Sequence, residues 1–155
     1  MLFTKILFAT DFSPISERAL GVVRELQASG AAEVVLVHVL DERDTGELLA
    51  QPSGVGGDPE PEFETGIRKR KATTAERNID AVQVQLEKAG YRVRPKLVQG
   101  LPDQEILRIA EAEGVGAIVV GAGARGSLRH IIRGSVSENV VRRATQPVLV
   151  VRSLE

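Results

Sequence analysis

Five short apolar runs, separated by stretches with helical spacing, constrain this chain more than any other feature of its sequence. The first is Lys5-Ile6-Leu7-Phe8-Ala9, which closes on the turn-forming Thr10-Asp11-Phe12-Ser13-Pro14. Behind it Ile15, Ala19, Val22, Val23 and Leu26 recur at three- and four-residue spacing, the pattern of a helix that buries one face. Ser13 is placed to cap that helix, Pro14 suits its first position and Gly30 its end. Val34 to Leu40 reads VVLVHVL. Such unbroken apolarity implies a strand buried on both faces, as in a parallel sheet.

From about Glu42 to Gly66 the composition turns to Gly, Pro and acidic residues, so a mobile loop is expected over about 43–66. A long helix follows, with Ala75, Ile79, Val82, Leu86 and Ala89 on one stripe and Gly90 as its stop. Val93 to Val98 is a strand that contains Pro95, and proline confines it to the edge of a sheet. Leu101-Pro102-Asp103 opens a further helix carrying Ile106, Leu107 and Ala110, which Gly114 ends. Ala117 to Val120 is a buried strand ending in Gly121; a last helix carries Val136, Val140, Val141 and Ala144, and Pro147 to Val151 is the final strand.

Strands and helices in strict alternation predict an α/β fold: a doubly wound, five-stranded parallel sheet with helices on both faces and right-handed crossovers. The order 3-2-1-4-5 puts the Pro95 strand at an edge, as its chemistry demands. The 155 residues suit one domain, 1–155. Ligands in such sheets sit where the winding reverses, beyond the C-terminal ends of the first and fourth strands. Thr10-Asp11-Phe12-Ser13 and Gly121 to Ser127 are expected to meet there.

The formal net charge is −1, which provides no global field toward nucleic acid or an anionic membrane. No apolar run approaches the ~20 residues that span a bilayer, and the N-terminus reads as a strand rather than a secretory signal. Cysteine is absent, so disulfides and thiolate chemistry are excluded and a cytoplasmic location is expected.

Chemistry concentrates between Gly121 and Ser137. Glycines let backbone amides approach a phosphate, and a helix start adds unpaired N–H groups. Ser135 and Ser137 can donate to phosphate oxygens. Gly121-x-Gly123-x-x-Gly126 matches a dinucleotide fingerprint, but no acidic residue closes the next strand. The run Gly121 to Gly126-Ser127 lacks the lysine a P-loop needs before its hydroxyl. A third pattern, Gly-x2-Gly-x9-Gly followed by Ser or Thr, places Gly121 first and Gly134-Ser135 last, with Ala124 where the second glycine belongs and Gly123 and Gly126 flanking it.

That third pattern is the nucleotide motif of the universal stress protein family, which the chain resembles over nearly its whole length. Lys5 to Ser13, Val37 to Glu42, Gly134 to Val140 and Pro147 to Val151 all look like its signatures, in the family's order. The resemblance implies a Rossmann-like fold of the adenine nucleotide alpha hydrolase type and an ATP-binding dimer, with AMP or ADP as related ligands. It further implies that Asp11 contacts the ribose and that the backbone near Ala9, Thr10 and Val39 holds the adenine. Gly121, Ala124, Gly134, Ser135, Val136 and Ser137 would wrap the phosphates, with Mg2+ or Mn2+ bridging them.

The residues also carry plainer readings. Asp11 can simply satisfy amides at a helix start, Ser135 can be only a cap, and the glycines can serve a tight connection. Arg125, Arg129 and Arg133 form either a phosphate-neutralising row or a solvated face. His38 lies on an apolar strand with no metal partner at a useful spacing and reads as structural; His130 has no partner that the sequence identifies. No nucleophile is paired with a histidine and a carboxylate, so at most a slow, metal-assisted ATP hydrolysis is expected. The apolar edge strand Pro147 to Val151 predicts a homodimer through that strand. The leading expectation is thus a nucleotide-dependent regulatory dimer with a client protein, and its rival is an interaction scaffold that binds no nucleotide.

Overall fold

The structure, a computed structural model, describes residues 3–43, 61–122 and 136–152. Its strands are β1 (Lys5–Ala9), β2 (Glu33–Asp41), β3 (Arg92–Gly100), β4 (Ala117–Gly121) and β5 (Val148–Val151). The α-helices that pack on the sheet are α1 (Pro14–Leu26), α2 (Pro61–Lys88), α3 (Pro102–Glu113) and α4 (Val136–Arg143), and a 3-10 turn, Gln27–Ser29, follows α1. Every strand pair is parallel, and the order is β3-β2-β1-β4-β5, as the alternation predicts.

Period-two alternation splits the apolar runs between two cores. Ile6, Phe8, Val34, Leu36, Ala117 and Val119 face α1 and α2, where Ala19, Val23, Ile79, Val82 and Leu86 meet them. Leu7, Val35, Val37, Ile118 and Val120 face the other way, toward Ile106, Ile109 and Ala110 of α3 and Val140 of α4. Each fully buried Val, Leu, Ile or Phe contributes about 1.5–3 kcal/mol, so the central strands anchor the sheet. Tyr91 adds a polar tie that sequence reading did not find. Its hydroxyl donates to the Val23 carbonyl, and burial pushes its pKa up to about 12.

β3 lies at one edge, where Pro95 sits level with Leu36. An edge strand tolerates the missing N–H. At the N-terminal ends of the strands, Glu113 at the close of α3 accepts from Lys5 at 3.2 Å, Arg94 at 3.1 Å and Lys96 at 3.3 Å. Hydrogen bonds from Lys5 and Lys96 hold its carboxyl below the usual value, with the Arg94 and Lys5 charges acting in the same direction.

Two expectations need correction. The segment expected as loop over 43–66 ends earlier, because α2 already begins at Pro61 and includes Gly66. Proline is tolerated in a first helical turn, so a Pro-rich approach does not exclude a helix start; residues 44–60 of that segment lie outside the described residues. Val141 does not join the buried stripe of α4. It is 52% exposed while Val140 is fully buried, since neighbours on a helix point about 100° apart. No described helix is long and apolar enough to cross a membrane.

Candidate functional site

The winding reverses between β1 and β4, and there the strands stop at different heights. β1 pairs with β2 from Lys5–Glu33 to Ala9–Val37, yet β2 continues to Asp41 beside β3. One further rung follows, in which the Thr10 N–H donates to the Val37 carbonyl at 2.9 Å. On the other side Phe8 pairs with Val119, and that register brings Gly121 level with Thr10. Ala9, Thr10, Asp11, Val39 and Gly121 therefore converge at the C-terminal end of the sheet, where the crevice was expected.

Backbone groups alternate in direction along a strand, so Val39 faces the same way as Val37, toward β1. β1 has ended at that height. In a regular parallel ladder the Val39 N–H would donate to the Thr10 carbonyl, completing the rung that Thr10 N–H begins. That bond is not made. Instead the Thr10 carbonyl accepts from Nδ1 of His38 at 2.7 Å. A carbonyl only accepts, so Nδ1 carries the proton. Among the described residues the peptide N–H and C=O of Val39 thus have no partner beyond the end of β1, while its side chain stays in the core.

The opposite wall is the turn from Thr10 to Ser16. Thr10 is buried, and its Oγ1 accepts from the Phe12 N–H at 3.0 Å. Asp11 Oδ1 accepts from the Ser13 N–H at 3.0 Å and from the Ser16 hydroxyl at 2.6 Å. Ser13 caps α1 as predicted, its Oγ accepting from the Ser16 N–H at 3.3 Å. These bonds hold Phe12 at φ 62°, a left-handed conformation that a bulky residue avoids. Its ring leans on the His38 imidazole, with centroids 4.6 Å apart. Backbone strain of this kind gathers at functional sites.

Electrostatics follow from the same contacts. Burial raises the Asp11 pKa, but hydrogen bonds from the Ser13 and Ser16 side chains and the Ser13 amide more than offset it, so the carboxyl lies below its ordinary value. It stays ionised at neutral pH. Burial lowers the His38 pKa and outweighs the raising effects of the Thr10 bond and the Asp11 charge. The ring is therefore neutral, with Nδ1 as donor. The located bonds to the Asp11 carboxylate end on Oδ1, and the residue is exposed, so its other oxygen faces the surface.

Gly121 has a packing reason to be glycine. A Cβ there would come within 2.7 Å of Cγ2 and 3.4 Å of the backbone carbon of Ile15, in the first turn of α1. Val136 and Ser137 occupy the first positions of α4, and Ser137 is buried. The remaining expected site residues, Gly123, Ala124, Arg125, Gly126, Gly134 and Ser135, lie outside the described residues, as do Arg129, Arg133 and His130. No described cluster of three or more His, Asp or Glu side chains could hold a metal ion.

His38, Phe12 and Ser16 were missed as site residues. For Ser16 a signal existed, since Ser13-x-x-Ser16 has the spacing of a capping box with a hydroxyl in place of the usual Glu or Gln.

Comparison with known proteins adds an independent line. The model of the universal stress protein family matches residues 2–152. Universal stress protein MJ0577 of Methanocaldococcus jannaschii is 38% identical over 157 aligned residues, covering 98% of this chain and 96% of that protein. The solved structure of MJ0577 matches with a TM-score of 0.81 at 35% identity, over 99% of this chain and 98% of that one. A universal stress protein from Archaeoglobus fulgidus, solved in complex with dAMP, matches at 23% identity and a TM-score of 0.61, over 97% and 99% of the two chains. Another, solved in complex with cAMP, matches at 18% identity and a TM-score of 0.67, over 97% of each chain. At these last identities the likeness is one of fold.

Proposed function

The chain belongs to the universal stress protein family, and on that footing we propose that it is a regulatory protein that binds an adenine nucleotide, ATP foremost, in the crevice beyond β1. One observation carries the reading: a peptide N–H and C=O at Val39, unpaired among the described residues, stand across the end of β1 from the ionised Asp11. An adenine edge offers a ring-nitrogen acceptor beside an amino donor, the complement of a single peptide's N–H and C=O. An exposed carboxylate whose located bonds leave one oxygen facing the surface suits the two hydroxyls of a ribose. The solved relatives that hold dAMP and cAMP lend support from the same fold.

In this reading Ala9, Thr10 and Val39 hold the base and Asp11 holds the ribose. Gly121, Gly123, Ala124, Arg125, Gly126, Gly134, Ser135, Val136 and Ser137 serve the phosphates. A divalent cation, Mg2+ or Mn2+, would be held through those phosphates and would supply charge neutralisation there. The chain's own part is to bind and orient; any hydrolysis is slow. The domain spans 1–155 and pairs with a second copy through Pro147 to Val151. In favour of that pairing, β5 is an edge strand and its Leu149 is 39% exposed. Leu149→Lys should then shift the solution mass from dimer to monomer, and an unchanged mass would refute the interface.

Calorimetric titration with ATP, AMP and NAD, with Mg2+ present, tests the proposal. Saturable heat with ATP or AMP and none with NAD is the expected result. Absence of heat with every nucleotide would leave the rival reading, a dimeric interaction scaffold, which the alanine at position 124 favours.

A further inference from the structure

The early end of the β1–β2 ladder has a cause in the sequence. Thr10 N–H pairs with Val37, so the next bond in a parallel ladder would join the Val39 N–H to the Thr10 carbonyl. The acceptor is taken. His38, the residue between them, turns its imidazole onto the α1 side of the sheet and gives Nδ1–H to that carbonyl at 2.7 Å. The Phe12 ring covers the imidazole from the turn, 4.6 Å away, and the positive φ of Phe12 keeps that turn folded over it.

We propose that His38 is a positioning residue for the nucleotide: it caps the β1 ladder at Thr10 and so keeps the Val39 N–H free to receive the base. This rests on the nucleotide reading above and extends it to a side chain that touches no ligand. Remove the imidazole donor, and the Thr10 carbonyl is a buried acceptor without a partner. The donor that a regular parallel ladder would supply is the Val39 N–H, so the ladder gains a rung and the base loses its donor. Occupancy of the crevice is thereby set by a competition between one imidazole and one amide for one carbonyl.

The full-length protein provides the test. In wild type the Val39 amide should exchange rapidly with solvent and become protected when ATP and Mg2+ are added. His38→Leu keeps the bulk and loses the donor. It should protect the Val39 amide without nucleotide and weaken ATP binding about tenfold, the worth of one hydrogen bond. His38→Asn places an amide N–H close to the Nδ1 position and should restore both wild-type exchange and affinity to within about threefold. Equal Val39 exchange and equal affinity in wild type and the Leu variant would overturn the proposal. If wild type itself binds no nucleotide, the nucleotide reading falls, while the exchange comparison still decides whether His38 caps the ladder. Should the Leu variant not fold, 15N shifts of the wild-type imidazole decide. A proton on Nδ1 at neutral pH supports the cap, and a neutral ring protonated on Nε2 alone overturns it.

Discussion

The two walls of the crevice are built in different currencies. The turn from Thr10 to Ser16 is specified by side chains: Thr10, Asp11, Ser13 and Ser16 each make a bond that fixes its shape. The end of β2 offers a peptide, and the Val39 side chain points away into the core. One wall can be dismantled by a point substitution at the contact itself. The other yields only to a change in the neighbouring ladder. A recognition site of this kind is therefore half visible to mutagenesis and half hidden from it.

Asp11→Ala strikes the first wall hardest. It removes the ribose acceptor, and a bond to a charged group is worth about 1.5–3 kcal/mol, so ATP affinity should fall roughly 10- to 100-fold by calorimetry. An unchanged affinity would remove Asp11 from the site. Gly121→Ala presses on the first wall from the β4 side, where α1 begins. The added Cβ meets the short, branched Ile15 side chain and the α1 backbone, which cannot swing aside as a long side chain would. Denaturant unfolding should show a loss of about 1–3 kcal/mol, as for other overpacked sites. A smaller loss would mean that α1 moves freely.

Acid separates the walls by titration. His38 has a lowered pKa, so the unfolded chain takes up the proton first as pH falls below the ordinary 6.5. Its contribution to stability is complete above that pH and is lost below it, until the folded ring protonates too. Asp11 behaves the same way below 3.8 and Glu113 below 4.5, so among the described residues with a shifted pKa the interval near pH 5–6.5 belongs to His38. Urea unfolding at pH 7.5 and 5 should show wild type weakened at the lower pH, and His38→Asn should show less of that loss. Equal slopes in both proteins would contradict the assignment. The smallest effect belongs to the second wall: Val39→Ile, a conservative change in the core, should leave ATP affinity within about twofold, because the contact is to the peptide. A tenfold loss would mean that the side chain, not the backbone, meets the base.

Much of this was legible in advance. Pro95 in a strand fixes an edge, the unbroken VVLVHVL fixes a central strand, and together they select the order β3-β2-β1-β4-β5. The convergence of Asp11 with Gly121 follows from that order. What sequence could not convey is register. KILFA is visibly shorter than VVLVHVL, but only paired heights reveal that Val39 stands beyond the end of β1. Phe12 was silent for a different reason, since a left-handed conformation is ordinarily announced by Gly or Asn. His38 reads as a strand histidine, and it is one; its role depends on which carbonyl its ring meets. The opening of α2 was misread because Pro61 serves equally as loop punctuation and as a first helical residue.

Far from the crevice, Glu113 gathers Lys5, Arg94 and Lys96 onto one carboxylate. Its loss would not merely delete three attractions. It would leave three ammonium and guanidinium groups crowding the foot of the sheet where, among the described residues, Glu33 is shared between two of them, at 3.8 Å from Lys5 and 3.7 Å from Arg94. The last residue of α3 is thus a keystone whose neutralisation turns a seam between helix and strands into a site of mutual repulsion, and dissolved electrolyte would soften that repulsion.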